Sequence, residues 1–249
     1  MPRSILLLSG SYVYGSSFLE PYEEAIINFT VGITKMLFVP YASDRSNWDD
    51  YTAKVRDKFL PWGIEVSGIH ESSVNNSLEG FKAIFIGGGN TFRLLYTLQQ
   101  FQLLKQINEA VNKKNMRYLG SSAGSNMACP TICTTNDMPI IYPALGFEGL
   151  NLVSFQINPH YIDPDSNSKH MGETREDRIR EFHEANQTPV VGLREGSFLR
   201  INEEYFTSGL LELGGIYGAK FFFPGKVAFN ITTATSLILH HEKLIEITK

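Results

Sequence analysis

Gly120-Ser121-Ser122-Ala123-Gly124 reads G-x-S-x-G, the pattern of a serine carried on a sharp strand-to-helix turn. It follows a short apolar run and opens a helical stretch, the context that the pattern requires. Ser122 is the central residue. A serine so placed takes a strained backbone conformation, and its neighbours two positions away must be small. Gly120 and Gly124 meet that need, whereas Ser121 and Ser125 lack the arrangement and fall to packing or local hydrogen bonds. The competing reading makes Ser122 only a helix cap. Gly87-Gly88-Gly89-Asn90 also ends an apolar run and leads into a helix, so its backbone N–H groups suit an anion. Beside the serine turn in a parallel sheet, one of them and the Ala123 N–H would form an oxyanion hole. A nucleotide loop is disfavoured, since neither G-x-G-x-x-G nor G-x-x-x-x-G-K-[ST] is present.

A nucleophilic serine needs a base, which contributes about 10²–10⁴-fold in rate. Of six histidines, His70 ends a strand, His183 lies on a polar helix, and His240 and His241 close an apolar segment. His160, in Gln156-Ile157-Asn158-Pro159-His160-Tyr161, follows a strand expected over Leu152–Ile157, and Pro159 stiffens its turn. Two acids are placed to orient that ring: Asp137 in Thr134-Thr135-Asn136-Asp137, and Glu195 in Gly192-Leu193-Arg194-Glu195-Gly196. The residues alone do not choose between them. The order serine, acid, histidine, with His240 or His241 as the base, is the chemical alternative.

Positioning these groups calls for a sheet. Ile5–Leu8, Met36–Val39, Ile64–Ile69, Ala83–Ile86 and Arg117–Leu119 read as buried strands. Helices separate them: Trp48–Phe59, with Tyr51, Val55 and Phe59 on one face, and Phe92–Val111, broken near Gln100. Apolar strands alternating with helices predict an α/β fold, a mostly parallel sheet flanked by helices with ligands beyond the carboxyl ends of its strands. After about residue 185 the pattern shifts to short strands, over Val190–Leu193, Phe198–Asn202, Glu204–Ser208, Lys220–Phe223 and Val227–Asn230, which extend or flank the sheet. Asp163–Met171 reads as a surface loop able to act as a lid.

With 249 residues and 43% hydrophobic content, the chain is expected to form one domain over residues 1–249. A net charge of −4 without a basic run excludes a nucleic-acid footprint. Cys129 and Cys133, four apart, are better placed to pack within a helical turn than to close a loop, as in a reducing compartment. The run Ile5–Leu8 stops at Ser9-Gly10, too short for a signal sequence or a span, so a cytoplasmic protein without a membrane partner is expected.

GGGNTF, SSAGSNMACPTICTTNDMP, QINPHY, GETREDRIREF and the Leu-Arg-Glu-Gly turn resemble the peptidase E family, cytosolic α-aspartyl dipeptidases related in fold to class I glutamine amidotransferases; the resemblance runs from about Leu6 to Phe223. It implies a triad of Ser122, His160 and Glu195, oxyanion donors at Gly89 and Ala123, and hydrolysis of Asp-X dipeptides through an acyl-enzyme without metal or cofactor. It also implies Arg175 as the grip on the aspartyl carboxylate, which leaves Asp137 for the substrate amine. Against this, Glu176 and Arg180 at i,i+4 would give a solvated, salt-bridged helix whatever Arg175 does. A cyanophycinase-like hydrolase of β-aspartyl peptides and an inactive ligand-binding relative are the alternatives, and a monomer or homodimer is expected.

Overall fold

The computed structural model describes residues 3–138, 140, 142, 145–169, 171–202, 210–232, 235–240 and 243–247. Five parallel strands form one half of its larger sheet: β1 (Ser4–Leu8), β2 (Lys35–Val39), β3 (Glu65–Gly68), β4 (Ala83–Ile86) and β5 (Arg117–Ser121), in the order β1-β5-β4-β2-β3, with β3 at the edge. Alternation within β1 shows why every residue of this run is apolar. Ile5 and Leu7 pack on one face with Ile84, Ile86, Leu95 and Ile107, while Leu6 and Leu8 pack on the other with Phe38, Phe59 and Phe85. Both faces are therefore covered, as a parallel sheet requires. The helices between the strands are α1 (Glu23–Phe29), α2 (Trp48–Phe59), α3 (Thr91–Gln100) and α4 (Leu103–Lys114), and α5 (Ala123–Met127) follows β5. The expected break between α3 and α4 falls at Phe101-Gln102, where Gln102 takes φ 54° and turns the chain.

The rest of the chain adds antiparallel strands and a second sheet. The parallel strands β6 (Gln156–Pro159) and β7 (Val190–Leu193), with α6 (Arg175–Ala185) between them in sequence, start the smaller sheet. It is completed by β10 (Ala219–Phe222) and β11 (Phe229–Ile231) in the order β11-β10-β7-β6. The larger sheet continues from β1 through β8 (Ser197–Asn202), β9 (Leu210–Gly215), β12 (Thr235–His240) and β13 (Lys243–Ile247), each antiparallel to its neighbour. The expected α/β fold with added C-terminal strands is thus present, its parallel character carried by β1 to β5.

Two local expectations are corrected. The strand begins at Gln156, not Leu152; Leu152, Val153 and Phe155 are buried outside any strand. Cys129 and Cys133 do not share a helical turn, because α5 ends at Met127 and Pro130 follows; both are free thiols, Cys129 buried and Cys133 exposed. Glu204–Ser208 lies outside the described residues.

Phe85, fully buried, packs against Phe38 at 5.2 Å and Phe59 at 6.0 Å between ring centroids. Removing such a ring from a closed core costs about 3–5 kcal/mol. Phe85→Ala should lower the unfolding free energy by that amount in urea titration, and a loss under about 1 kcal/mol would show that the sheet is not packed as described.

Candidate active site

Ser122 sits between β5 and α5 with φ 51° and ψ −108°, outside the regions that a β-carbon ordinarily allows. Small neighbours permit the turn: a β-carbon at Gly120 would lie 2.7 Å from the Gly124 carbonyl, and one at Gly124 would run into the Ile86 carbonyl. The backbone is fixed by the Ser122 N–H donating to Leu8 O at 3.1 Å. Ser125 Oγ donates at 2.6 Å to Leu8 O and 2.9 Å to Gly120 O, so it is structural, as expected.

His160 and Glu195 come from the smaller sheet. Pro159 of β6 is in register with Leu193 of β7, so His160 follows one residue beyond that pair and Glu195 two. His160 itself takes φ 51°, which swings its ring out of the strand line. Its Nδ1 is 2.8 Å from Glu195 Oε1 and its Nε2 is 2.9 Å from Ser122 Oγ. An ionised carboxylate only accepts, so Nδ1 carries the proton and Nε2 receives the Ser122 hydroxyl. Both His160 and Glu195 keep substantial exposure, so Glu195 acts here chiefly by holding the ring in one tautomer and orientation rather than by Coulomb energy.

The support for this arrangement lies far away in sequence. The His160 N–H donates to Ser9 Oγ at 3.0 Å, and Ser9 Oγ donates to Leu193 O at 2.7 Å. Gly10 leaves room for the imidazole, since a β-carbon there would stand 2.6 Å from its Cε1. The Tyr22 hydroxyl accepts from the Gly10 N–H at 3.3 Å and the Gly196 N–H at 3.0 Å, tying the loop after β1 to the turn that carries Glu195. Burial pushes the Tyr22 phenol up to about 12, so it stays neutral in this role. Asn136 Nδ2 donates to Pro159 O, and Asn158 Nδ2 donates to Thr134 O at 2.9 Å and to Asn136 Oδ1 at 2.6 Å. None of these supports was singled out in the sequence. Ser9-Gly10 shows there only as the end of an apolar run, and the partners of the Ser9 hydroxyl are more than 150 residues away.

Among the described residues, neither the Gly89 nor the Ala123 N–H is held by an acceptor. Ala123 opens α5, where an N–H has no partner within the helix. Asp137 Oδ2 accepts from the Thr91 N–H at 2.5 Å and from Thr135 Oγ1 at 3.1 Å, beside Asn90, whose side chain caps α3 by accepting the Arg93 N–H. A cleft of about 580 Å³ is lined by Asn136, by residues of the loop from Ile162 to Ser168, and by Glu173, Arg175 and Arg178; Ser122, His160 and Glu195 are not among its lining residues, and Asp137 lines a neighbouring cavity that shares Asn136, Met138 and Arg178 with it. Asp163 on that loop is clamped by Arg194 at 2.7 and 2.9 Å, which holds its carboxyl below the usual range. Arg175 begins α6, whose capping box joins Thr174 and Asp177. The salt-bridged helix is real: Arg180 meets Glu176 at 3.1 Å and Asp177 at 2.5 Å, and Arg178 meets Glu173 at 3.5 Å. Arg175 stands apart from it, with no carboxylate partner among the described residues, and burial followed by repulsion from Arg178 lowers its pKa.

Three other histidines are among the described residues, and it is His160 that is bonded to Ser122. His70 contacts Asp49 and His183 contacts Thr188 O. His240 is in β12, four strands from β5, about 19 Å across the sheet at the usual strand spacing; His241 lies outside the described residues.

Tyr22→Phe removes the acceptor of two buried N–H groups. It should cost about 1–3 kcal/mol in denaturant unfolding; an unchanged midpoint would mean that Tyr22 does not tie the two loops.

Comparison with known proteins shows the family and the fold. The model of peptidase family S51 matches residues 5–209. Peptidase E of Streptomyces coelicolor is 44% identical over 235 residues, 94% of this chain and 93% of that protein. A probable alpha-aspartyl dipeptidase of Drosophila melanogaster is 46% identical over 205 residues, 81% and 84% of the two chains. The fold is shared with a putative peptidase E of Listeria monocytogenes, with a TM-score of 0.61 and 21% identity over 87% of this chain and all of that one. A peptidase from an acI-B1 actinobacterium gives a TM-score of 0.65 and 17% identity over 95% and 97%. The serine turn, the histidine that it faces and the extent of these matches lead to one assignment: the chain belongs to peptidase family S51.

Proposed function

We propose that this chain, a serine peptidase, hydrolyses dipeptides with N-terminal aspartate, using Ser122 as nucleophile, His160 as base and Glu195 to orient His160. The observation that carries the chemistry is the single imidazole lying 2.9 Å from Ser122 Oγ and 2.8 Å from Glu195. Ser122 Oγ attacks the aspartyl carbonyl carbon while its proton passes to His160 Nε2. The carbonyl oxygen becomes an oxyanion facing the Gly89 and Ala123 N–H groups; one such donor is worth about 2.7–4 kcal/mol in the transition state. The intermediate collapses, the C–N bond breaks, and the leaving amine takes the proton from Nε2. Water, deprotonated by the same imidazole, then attacks the acyl-enzyme and releases aspartate.

The substrate assignment follows from the relatives' names and from charge. An Asp-X dipeptide offers an amine and a side-chain carboxylate to be held. Arg175, unpaired by any carboxylate among the described residues and lining the cleft, grips the carboxylate through its guanidinium fork. Asp137 keeps Oδ1 for the amine while Oδ2 accepts the first N–H of α3. The loop of residues 162–168 walls the cleft, as a lid over a small substrate would. Residues 1–249 act as one peptidase domain in the cytoplasm; no helix among the described residues is long and apolar enough to cross a membrane.

Purified enzyme should release leucine from Asp-Leu, and from Glu-Leu, Asn-Leu or Ala-Leu at least about 100-fold more slowly, because an unmatched or missing charge in a site built for one is rejected strongly. Ser122→Ala should reduce Asp-Leu hydrolysis by about 10⁴-fold or more with the fold intact by circular dichroism. Arg175→Ala should lose about 10²-fold in kcat/KM on Asp-Leu and narrow its advantage over Ala-Leu. Full activity in Ser122→Ala would remove the mechanism, and cleavage of β-aspartyl peptides alone would move the assignment to that class.

A further inference from the structure

An Asp-X dipeptide carries a third charge, the free carboxylate of the leaving residue. The leaving nitrogen receives its proton from His160 Nε2, so residue X must lie on the imidazole side of the scissile bond, away from the oxyanion donors. The chain there is the loop after β1. A β-carbon at Gly10 would touch both Cε1 and Nε2 of His160, at 2.6 and 3.3 Å, and Ser11 Oγ is 2.8 Å from Ser121 Oγ, beside the nucleophile. Next in the loop is Tyr12, its ring exposed and 5.6 Å from that of Phe18.

The cation on this side is Lys54. Its ammonium donates to the Tyr12 hydroxyl and lies over two rings, 5.0 Å from the centroid of Tyr12 and 4.8 Å from that of Phe18. A second route leads to the same place. Tyr51, one turn earlier on the same face of α2, accepts the Gly88 N–H at 3.1 Å, and a β-carbon on Gly88 would lie 3.2 Å from Ser122 Cβ. Unlike Lys58, which binds Glu23, and Arg56, which binds Glu71, Lys54 has no carboxylate partner among the described residues. A solvent-facing ammonium held by aromatic faces and one phenol has its charge fixed in place and an open coordination side.

We propose that Lys54, seated on Tyr12 and Phe18, binds the C-terminal carboxylate of the leaving residue and so makes the enzyme prefer free dipeptides. This rests on the Asp-X reading and assigns the remaining charge of that substrate. Lys54 is a specificity residue, because it touches no reacting atom; its effect should fall on KM rather than kcat.

The test compares Asp-Leu with Asp-Leu amide, which differ only in the carboxylate. Wild type should favour Asp-Leu by about tenfold in kcat/KM, mostly through KM, the size of one charge-assisted hydrogen bond in a partly wet site. Lys54→Met should bring that ratio close to one, and Lys54→Arg should keep it well above one. A wild-type ratio near one, or a ratio unmoved by Lys54→Met, overturns the inference while leaving the Asp-X reading in place. If wild type hydrolyses neither compound, the Asp-X reading falls and takes this inference with it.

Discussion

Everything in the site depends on the backbone of Ser122 staying in a conformation it would not choose alone. A residue with a β-carbon held at φ 51° and ψ −108° stores about 1–3 kcal/mol of strain. The surroundings over-determine it. Besides the bonds from Ser122 and Ser125 to the end of β1, the buried Tyr118 hydroxyl donates to the Gly124 carbonyl at 2.6 Å, and the Asn126 N–H donates to Ser122 O at 2.9 Å. In return the Ser122 hydroxyl is presented to His160, and the first N–H of α5 is left without an acceptor among the described residues, as the proposed oxyanion role requires. Neither would hold if Ser122 continued β5 or joined the helix in ordinary geometry.

The second requirement is that an imidazole reach that hydroxyl from a different sheet. The solution is a register: β6 and β7 end side by side, so the residues just past Pro159 and Leu193 are neighbours without any long-range search. Ser9, Gly10 and Tyr22 then join this pair to β1, the strand that also anchors the serine turn. The central strand β1 is thus the common reference for nucleophile and base, and its complete burial on both faces explains why a site assembled from two sheets can be stiff.

The parallel half of the fold was legible because its signals are local. Ile5–Leu8 and Ala83–Ile86 are short apolar runs, α2 has one clean face, and G-x-S-x-G with flanking glycines states its own geometry. The base was only partly legible: six histidines competed, and it took resemblance to a family to choose His160 with Glu195 over the His240 alternative. Strand pairing, invisible in composition, is what sets His240 far across the sheet. The sequence places the strand before His160 too early because Leu152, Val153 and Phe155 have the character of strand residues, yet they are buried as irregular chain. Ser9, Gly10, Tyr22 and Lys54 carry no local mark at all, since their importance lies in contacts with chain that is distant in sequence.

If His160 makes Ser122 nucleophilic, a serine-directed reagent should find that one hydroxyl. The enzyme would be treated with a serine-directed phosphonate at neutral pH, the adduct mapped by peptide mass spectrometry, and residual peptidase activity measured on the same samples. One phosphonyl group per chain should form, on Ser122, in step with loss of activity and at least about 100-fold more slowly in His160→Ala. A label on Ser121, Ser125 or any other serine, or full activity after Ser122 is modified, would contradict it.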